Sequence, residues 1–182
     1  MKTIYRLIMI GLLLTLPTYG ATLKDLEGIV NLARPVCNEH KVICTFRVIE
    51  FPKPLAYTRY NNITLSNKTV EILTEDELRS VVFHEVAHAV LRHSNLGQQY
   101  IASMYSKKGG QPTEQEIKTY RHKVELEADR YSTILLCQYG YTTKLPEALA
   151  KLSTKEYSEE SLTHPSDRDR INNIRNLQRI LK

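Results

Sequence analysis

The chain is as informative in what it lacks as in what it holds. Its longest apolar run, Leu7 to Leu16, is ten residues and stops at Pro17, whereas a membrane span needs about 20. No Gly/Ser-rich or Pro-rich linker divides the 182 residues, and no internal repeat shows, so one domain is expected rather than an array. The three cysteines contain no Cys-x-x-Cys pair, which excludes a cysteine-ligated metal of the usual spacing. The 25 Lys and Arg are dispersed among 20 Asp and Glu. Without a basic patch there is no reason to expect a nucleic-acid partner.

The amino terminus does hold a pattern. Lys2 and Arg6 precede the apolar run, and the small residues Gly20 and Ala21 follow Pro17, the order of a secretory signal peptide. We therefore expect residues 1–21 to be a signal and residues 22–182 a single domain, periplasmic or secreted, with no stable membrane span once the signal is gone. No cysteine follows the run closely enough for lipid attachment. Losing Lys2 and Arg6 lowers the formal net charge from +5 to +3. In an oxidising compartment Cys37 and Cys44, flanking the polar turn residues 38–41, are expected to pair. Cys137, ending an apolar run, is expected to be a buried thiol.

His84-Glu85-Val86-Ala87-His88 is the stretch that carries chemistry. On a helix, residues four apart stand one turn apart on the same face, so His84 and His88 converge on one ion while Glu85 borders it. With 6 His in 182 residues, roughly 0.02 matches to such a motif arise by chance. A hydrolytic zinc has three protein ligands and an open position, so a third ligand is required. Glu125-Leu126-Glu127-Ala128-Asp129 offers one. Glu125 and Asp129 share a helical face, whereas Glu127 lies about 200° of rotation away. Glu125 is thus the expected ligand, and Asp129 the acceptor for the free N–H of a ligating histidine. The bland alternative is a solvated acidic face paired with Arg121, Lys123 and Arg130. A di-iron reading, in which Glu85-x-x-His88 is one half of a ferritin-like pair, needs a second such motif on long helices.

The remaining elements read as follows. A first helix runs from Thr22 to about Ala33 and stops before Pro35, because a proline disfavours helical backbone at the residue before it. Val42 to Phe51 reads as a strand, and Leu55 to Leu65 as one or two more, broken near Asn61-Asn62. Thr74 to Glu77 is a capping box opening the motif helix, with Leu78, Val81, Val82, Val86, Ala89 and Val90 toward the core. The polar stretch with Gly109-Gly110 reads as a mobile loop near the cleft. A second capping box, Thr113 to Glu116, opens a helix over about Glu114 to Gln138, closed before Gly140. From Ser166 a last amphipathic helix sets Ile171, Ile174, Leu177 and Leu181 on one stripe. His40, His93 and His122 read as structural or solvated, with His122, three residues before Glu125, also able to face the site.

The three motifs His84-Glu85-Val86-Ala87-His88, Glu125-x-Glu127-Ala128-Asp129 and Thr163-His164-Pro165 with Arg170-Ile171 resemble, in that order, the HtpX, BepA and CAAX-prenyl-protease family of zinc metallopeptidases. The resemblance spans about Leu55 to Ile174. It implies that Glu125 is the third zinc ligand and that Asp129 supports the site. It also implies that Leu55-Ala56-Tyr57-Thr58 is an edge strand on which substrate adds as a further strand. His164 is implied as a group at the catalytic centre, either an oxyanion donor or a resting-state occupant of the open position, with Arg170 orienting the same loop. The membrane spans of HtpX and the prenyl proteases, and the helical repeats of BepA, have no counterpart here.

The expectation is an α+β, mostly helical, zincin-like metallopeptidase core with a small sheet whose edge strand borders the active-site helix. One Zn2+ per chain, held by His84, His88 and Glu125, would activate a water, with Glu85 as proton carrier. His164 or one of the 11 tyrosines would stabilise the oxyanion. The expected function is a zinc endopeptidase of the cell envelope acting on extended, unfolded or misassembled proteins. The alternative is a zinc-bound, proteolytically weak chaperone or assembly factor.

Overall fold

The computed structural model describes residues 20–153, 161 and 163–181; the expected signal lies almost wholly outside them. A capping box at Thr22 and Asp25 opens α1 (Leu23–Glu39). Three short strands follow, β1 (Thr45–Ile49), β2 (Ala56–Arg59) and β3 (Asn62–Ser66). Then come α2 (Asn67–Ile72), α3 (Glu75–Val90), α4 (His93–Lys108), α5 (Glu114–Gln138), α6 (Leu145–Leu152) and α7 (Asp167–Ile180). The chain is α+β and mostly helical, as expected. Among the described residues no helix is long and apolar enough to cross a membrane.

The sheet has the order β1-β3-β2. β1 runs parallel to β3, and β2 antiparallel with Ala56 opposite Leu65 and Thr58 opposite Ile63. The central strand is covered on both faces: Ile63, Thr64 and Leu65 are buried. β2 is an edge strand lying against α3. The break between β2 and β3 falls at Tyr60-Asn61, where Tyr60 takes a left-handed conformation (φ 56°).

α3 is the central element. It touches α1, α4, α5, α6, β2 and β3, and almost every side chain on it is buried. The six residues expected to face the core are all inside, together with Phe83. At roughly 1.5–3 kcal/mol per buried Val, Leu or Phe side chain, this packing fixes the rotation of α3 and so the direction in which His84 and His88 point. Leu135 and Leu136 of α5, Leu145 and Leu149 of α6 and Ile174 of α7 complete the same core.

Three expectations need correction. α1 does not stop before Pro35 but continues to Glu39, with Pro35 inside it. An interior proline costs about 3 kcal/mol. Here Val36 and Cys37 are buried beyond it, and Cys37 is bonded to Cys44, so packing and the disulfide outweigh the local preference. The polar stretch before Gly109-Gly110 is not loop but the helix α4, in which His93 alone of the described side chains is fully buried. Only residues 109–113 are irregular, and Gly109 ends α4 at φ 67°. Cys137 is exposed rather than buried. Leu135 and Leu136 take the packed face of α5, and the next residue, turned about 100° further, points outward. α2 and α6, too short for a clear period, have no counterpart among the elements expected from the sequence.

Candidate metal centre

Local sequence sets up the two walls of the site independently. In α3 the Thr74 N–H donates to Glu77 Oε2 (2.8 Å) and the Glu77 N–H returns to the Thr74 hydroxyl, the expected capping box. Lys151 of α6 donates to the same Glu77 carboxylate at 2.6 Å. α5 opens on the corresponding box at Thr113 and Glu116, and its bounds are those read from the sequence. Asp129 is locked in this helix by Ser132 and Thr133, whose hydroxyls donate back to its carbonyl.

Packing of α5 on α3 brings three ligand-type side chains together. His84 Nε2 and His88 Nε2 are 3.1 Å apart. Glu125 Oε2 is 3.5 Å from His84 Nε2, and Oε1 is 3.4 Å from His88 Nε2. A tetrahedral ion bonded at about 2.0–2.1 Å has ligand-to-ligand edges of about 3.3–3.4 Å, so this triangle has the right size for zinc. Glu125 Oε2 is moreover buried without a hydrogen-bond partner. A buried carboxylate set with one oxygen against each of two imidazole nitrogens, Oε2 making no hydrogen bond, is an arrangement that a bound cation would satisfy, so the residues fit a metal.

Each imidazole is backed from behind, in different ways. Asp129 Oδ1 lies 2.9 Å from His84 Nδ1. Asp129 is itself gripped by Arg170 through both oxygens, Nε to Oδ2 at 2.9 Å and Nη2 to Oδ1 at 2.7 Å, a planar two-point ion pair that is wholly buried. Arg170 Nη2 also reaches within 3.6 Å of Glu125 Oε2. Behind His88 stands His93, with 2.9 Å between the two Nδ1 atoms. Glu127, two residues from Glu125 and half exposed, points away from the triangle, 3.7 Å from His93 Nε2.

Glu85 is buried beside His84, and Thr58 Oγ1 lies 2.8 Å from its Oε2 and 2.9 Å from its carbonyl. The hydroxyl has one proton to give, so it tethers β2 to Glu85 through whichever oxygen is the better acceptor. His164 approaches from the segment before α7, its Nε2 3.9 Å from Glu125 Oε2 and its Nδ1 2.7 Å from the Thr163 hydroxyl. His122 does not join the triangle: its Nε2 pairs with the Ser161 carbonyl at 2.7 Å, holding the segment that carries His164. His40 pairs with Tyr131.

These surroundings split the titration of the group. Burial presses His84 down, but the Asp129 and Glu125 carboxylates outweigh it and hold its pKa up to about 10 in the metal-free protein. Burial dominates at His88 and His93, both lowered to about 4. Asp129 stays near 2 because the Arg170 charge overcomes its burial, and Glu125 is held well below the usual carboxylate range by the His88 and His84 side chains. Glu85 moves the other way: its burial raises it, and the neighbouring charges and the Thr58 hydroxyl only partly offset this. The result is one raised carboxyl beside His88 and Glu125 already in their ligand forms, while His84 must release a proton before it can bind an ion.

The triangle opens into a cleft of about 370 Å3. Leu55, Ala56, Tyr57 and Thr58 form one wall, with His164 and Arg170 at the far side. The floor is apolar, made by Val81 of α3 and by Leu145, Leu149 and Leu152. Thus every expected site residue is at or beside this cleft. Sequence reading missed the α6 wall, the tether from Thr58 and the contact of His93 with His88. It also misjudged Arg170, whose guanidinium grips Asp129 rather than orienting the His164 loop. A signal for Arg170 existed, since it lies four residues before Ile174, a charge set in the apolar stripe.

A helix bearing two histidines, crossed by a second that brings a buried carboxylate, beneath the edge strand of a small sheet, is the architecture of a zincin-like metallopeptidase. The model of peptidase family M48 matches residues 29–178, and the chain belongs to that family, whose members are typically zinc-dependent. A search of curated proteins finds no match.

Proposed function

We propose that this metallopeptidase is a zinc-dependent endopeptidase of the cell envelope, cutting extended stretches of unfolded or misassembled exported proteins. The observation that carries the zinc is the buried Glu125 carboxylate, whose Oε2 lies 3.5 Å from His84 Nε2 without a hydrogen bond while its Oε1 lies 3.4 Å from His88 Nε2. His84, His88 and Glu125 would hold the ion, which when bound supplies a Lewis acid for the scissile carbonyl and an acidified water. The chain's own residues do the rest. Glu85, raised by its burial, accepts the water proton and later returns it to the leaving amine. Its tether to Thr58 ties the proton carrier to the strand on which substrate would lie. Among the described residues β2 pairs only with β3, so its outer edge is available to an extended peptide, whose side chains would meet the apolar floor at Val81 and Leu149. His164, at the mouth, is placed to donate to a developing oxyanion or to close the open position at rest.

Export rests on the leader expected at residues 1–21 and is supported by the Cys37–Cys44 disulfide, a bond that persists in oxidising compartments. The decisive test compares wild type with Glu85→Gln on unfolded envelope proteins, with products read by mass spectrometry and zinc confirmed in both. The variant should keep zinc and fold yet lose about 10² to 10⁴ in turnover. Equal cleavage by both ends the assignment to Glu85. Equal absence of cleavage, with peptide binding retained, would favour a chaperone that grips along β2 without cutting.

A further inference from the structure

His93 is five residues from His88, which on a continuous helix would turn it about 140° away. The chain avoids this by breaking. α3 ends at Val90, and Arg92 adopts a left-handed conformation (φ 57°), a costly choice for a residue with a side chain, before α4 begins at His93. The reversal folds His93 back over the carboxyl end of α3. Its ring is buried, stands edge-on to that of His88 and meets it Nδ1 to Nδ1 at 2.9 Å. Its other nitrogen, Nε2, is buried without a hydrogen bond and faces Glu127 Oε2 at 3.7 Å, a gap that rotation of the half-exposed Glu127 side chain would close.

We infer that His93 and Glu127 are positioning residues that fix the tautomer and orientation of His88 for metal binding. The inference rests on the reading of His84, His88 and Glu125 as ligands. If His88 offers the Nε2 lone pair to the ion, its ring proton must sit on Nδ1. That N–H then donates to His93 Nδ1, which can accept only as a lone pair. The proton of His93 is in turn left on Nε2, aimed at Glu127. One consistent proton order therefore runs from Glu127 through His93 to His88, and it accounts for two histidines meeting through like-named nitrogens. It gives His88 the backing that carboxylates commonly give a ligating histidine, with a neutral ring interposed. It also gives a role to the second glutamate of Glu125-x-Glu127, the one that faces away from the ion.

The test measures zinc affinity by chelator competition for wild type, His93→Phe, His93→Gln and Glu127→Ala, with ring ¹⁵N spectra of zinc-loaded wild type. His93→Phe keeps the bulk but removes the acceptor, and should weaken zinc binding about 10- to 100-fold. His93→Gln restores an acceptor toward His88 and should recover most of that loss, which simple filling of space would not explain. Glu127→Ala should weaken binding less. The spectra should show His88 protonated at Nδ1 and His93 at Nε2, a reading that needs no variant and so stands even if His93→Phe fails to fold. Wild-type zinc affinity in His93→Phe, or the proton of His93 found on Nδ1, overturns the inference while leaving the metal site intact. A wild type that binds no zinc overturns both.

Discussion

His84 and His88 stand one turn apart on one helix and 3.1 Å apart at Nε2, yet the protein treats them as opposites. The His84 flank is charged: Asp129 behind the ring, Arg170 behind Asp129, all of it buried. The His88 flank is neutral: another imidazole, then a half-exposed glutamate. Burial penalises the charged form of both histidines; His84 is raised all the same because Asp129 and Glu125 flank it on both sides, whereas His88 has Glu125 alone against it and stays lowered. A shared motif thus does not give shared electrostatics; the partners brought by α5, α7 and α4 decide.

The largest difference should come from the two glutamates of α5. Glu125→Ala is expected to abolish stoichiometric zinc, because it removes a member of the triangle, whereas Glu127→Ala should retain one zinc per chain with reduced affinity. Elemental analysis of protein purified without added metal checks this, and the reverse result would move the charged and neutral flanks onto the wrong residues. Next in size, Arg170→Met strips the buried Asp129 of its two-point guanidinium partner and leaves it His84 alone, which should cost about 3 kcal/mol. On the neutral flank His93→Phe loses a single hydrogen bond and should cost about 1 kcal/mol. Denaturant unfolding of the chelated proteins measures both, and equal losses would erase the contrast.

A smaller effect separates the flanks by pH. In metal-free protein His84, raised from 6.5 to about 10, adds stability that is full below pH 6.5 and lost as the pH rises through 10. His88 and His93, lowered to about 4, add stability that is full above pH 6.5 and lost as the pH falls through 4. Melting temperature in the presence of a chelator should therefore peak near pH 6.5 and decline on both sides. A monotonic profile between pH 4 and 10 would mean that one flank dominates. Smallest is His164→Ala, which should keep zinc and change turnover less than Glu85→Gln does. Slower cleavage identifies an oxyanion donor and faster cleavage a resting-state plug, as read by initial rates on one unfolded substrate.

Much of the site was legible because it is helical and local. The capping boxes at Thr74 and Thr113 set the starts of α3 and α5, and the 100° step per residue put His84 with His88 and Glu125 with Asp129. The sheet was legible in outline, since β-branched runs marked β1 and the β2–β3 pair. Less visible was anything depending on a break in periodicity or on distant partners. Nothing near Arg92 announces a left-handed turn, so His93 read as a bystander, and α6 offers only eight residues to a search for a 3.6-residue period.

What the sequence determined alone is what backbone geometry dictates within a turn or two: the ligand spacing, the starts of α3 and α5, the side of α5 that carries Glu125, and a pairing of Cys37 with Cys44 across seven residues. Only the tertiary structure decided that Arg170 grips Asp129 across 41 residues, that Thr58 tethers Glu85 across 27, and that α1 runs through Pro35. The reason is that local preferences are worth a kilocalorie or a few each, while burial summed over a core amounts to many times that. Wherever the two conflict, packing chooses, and its choice depends on residues that lie far apart in the chain.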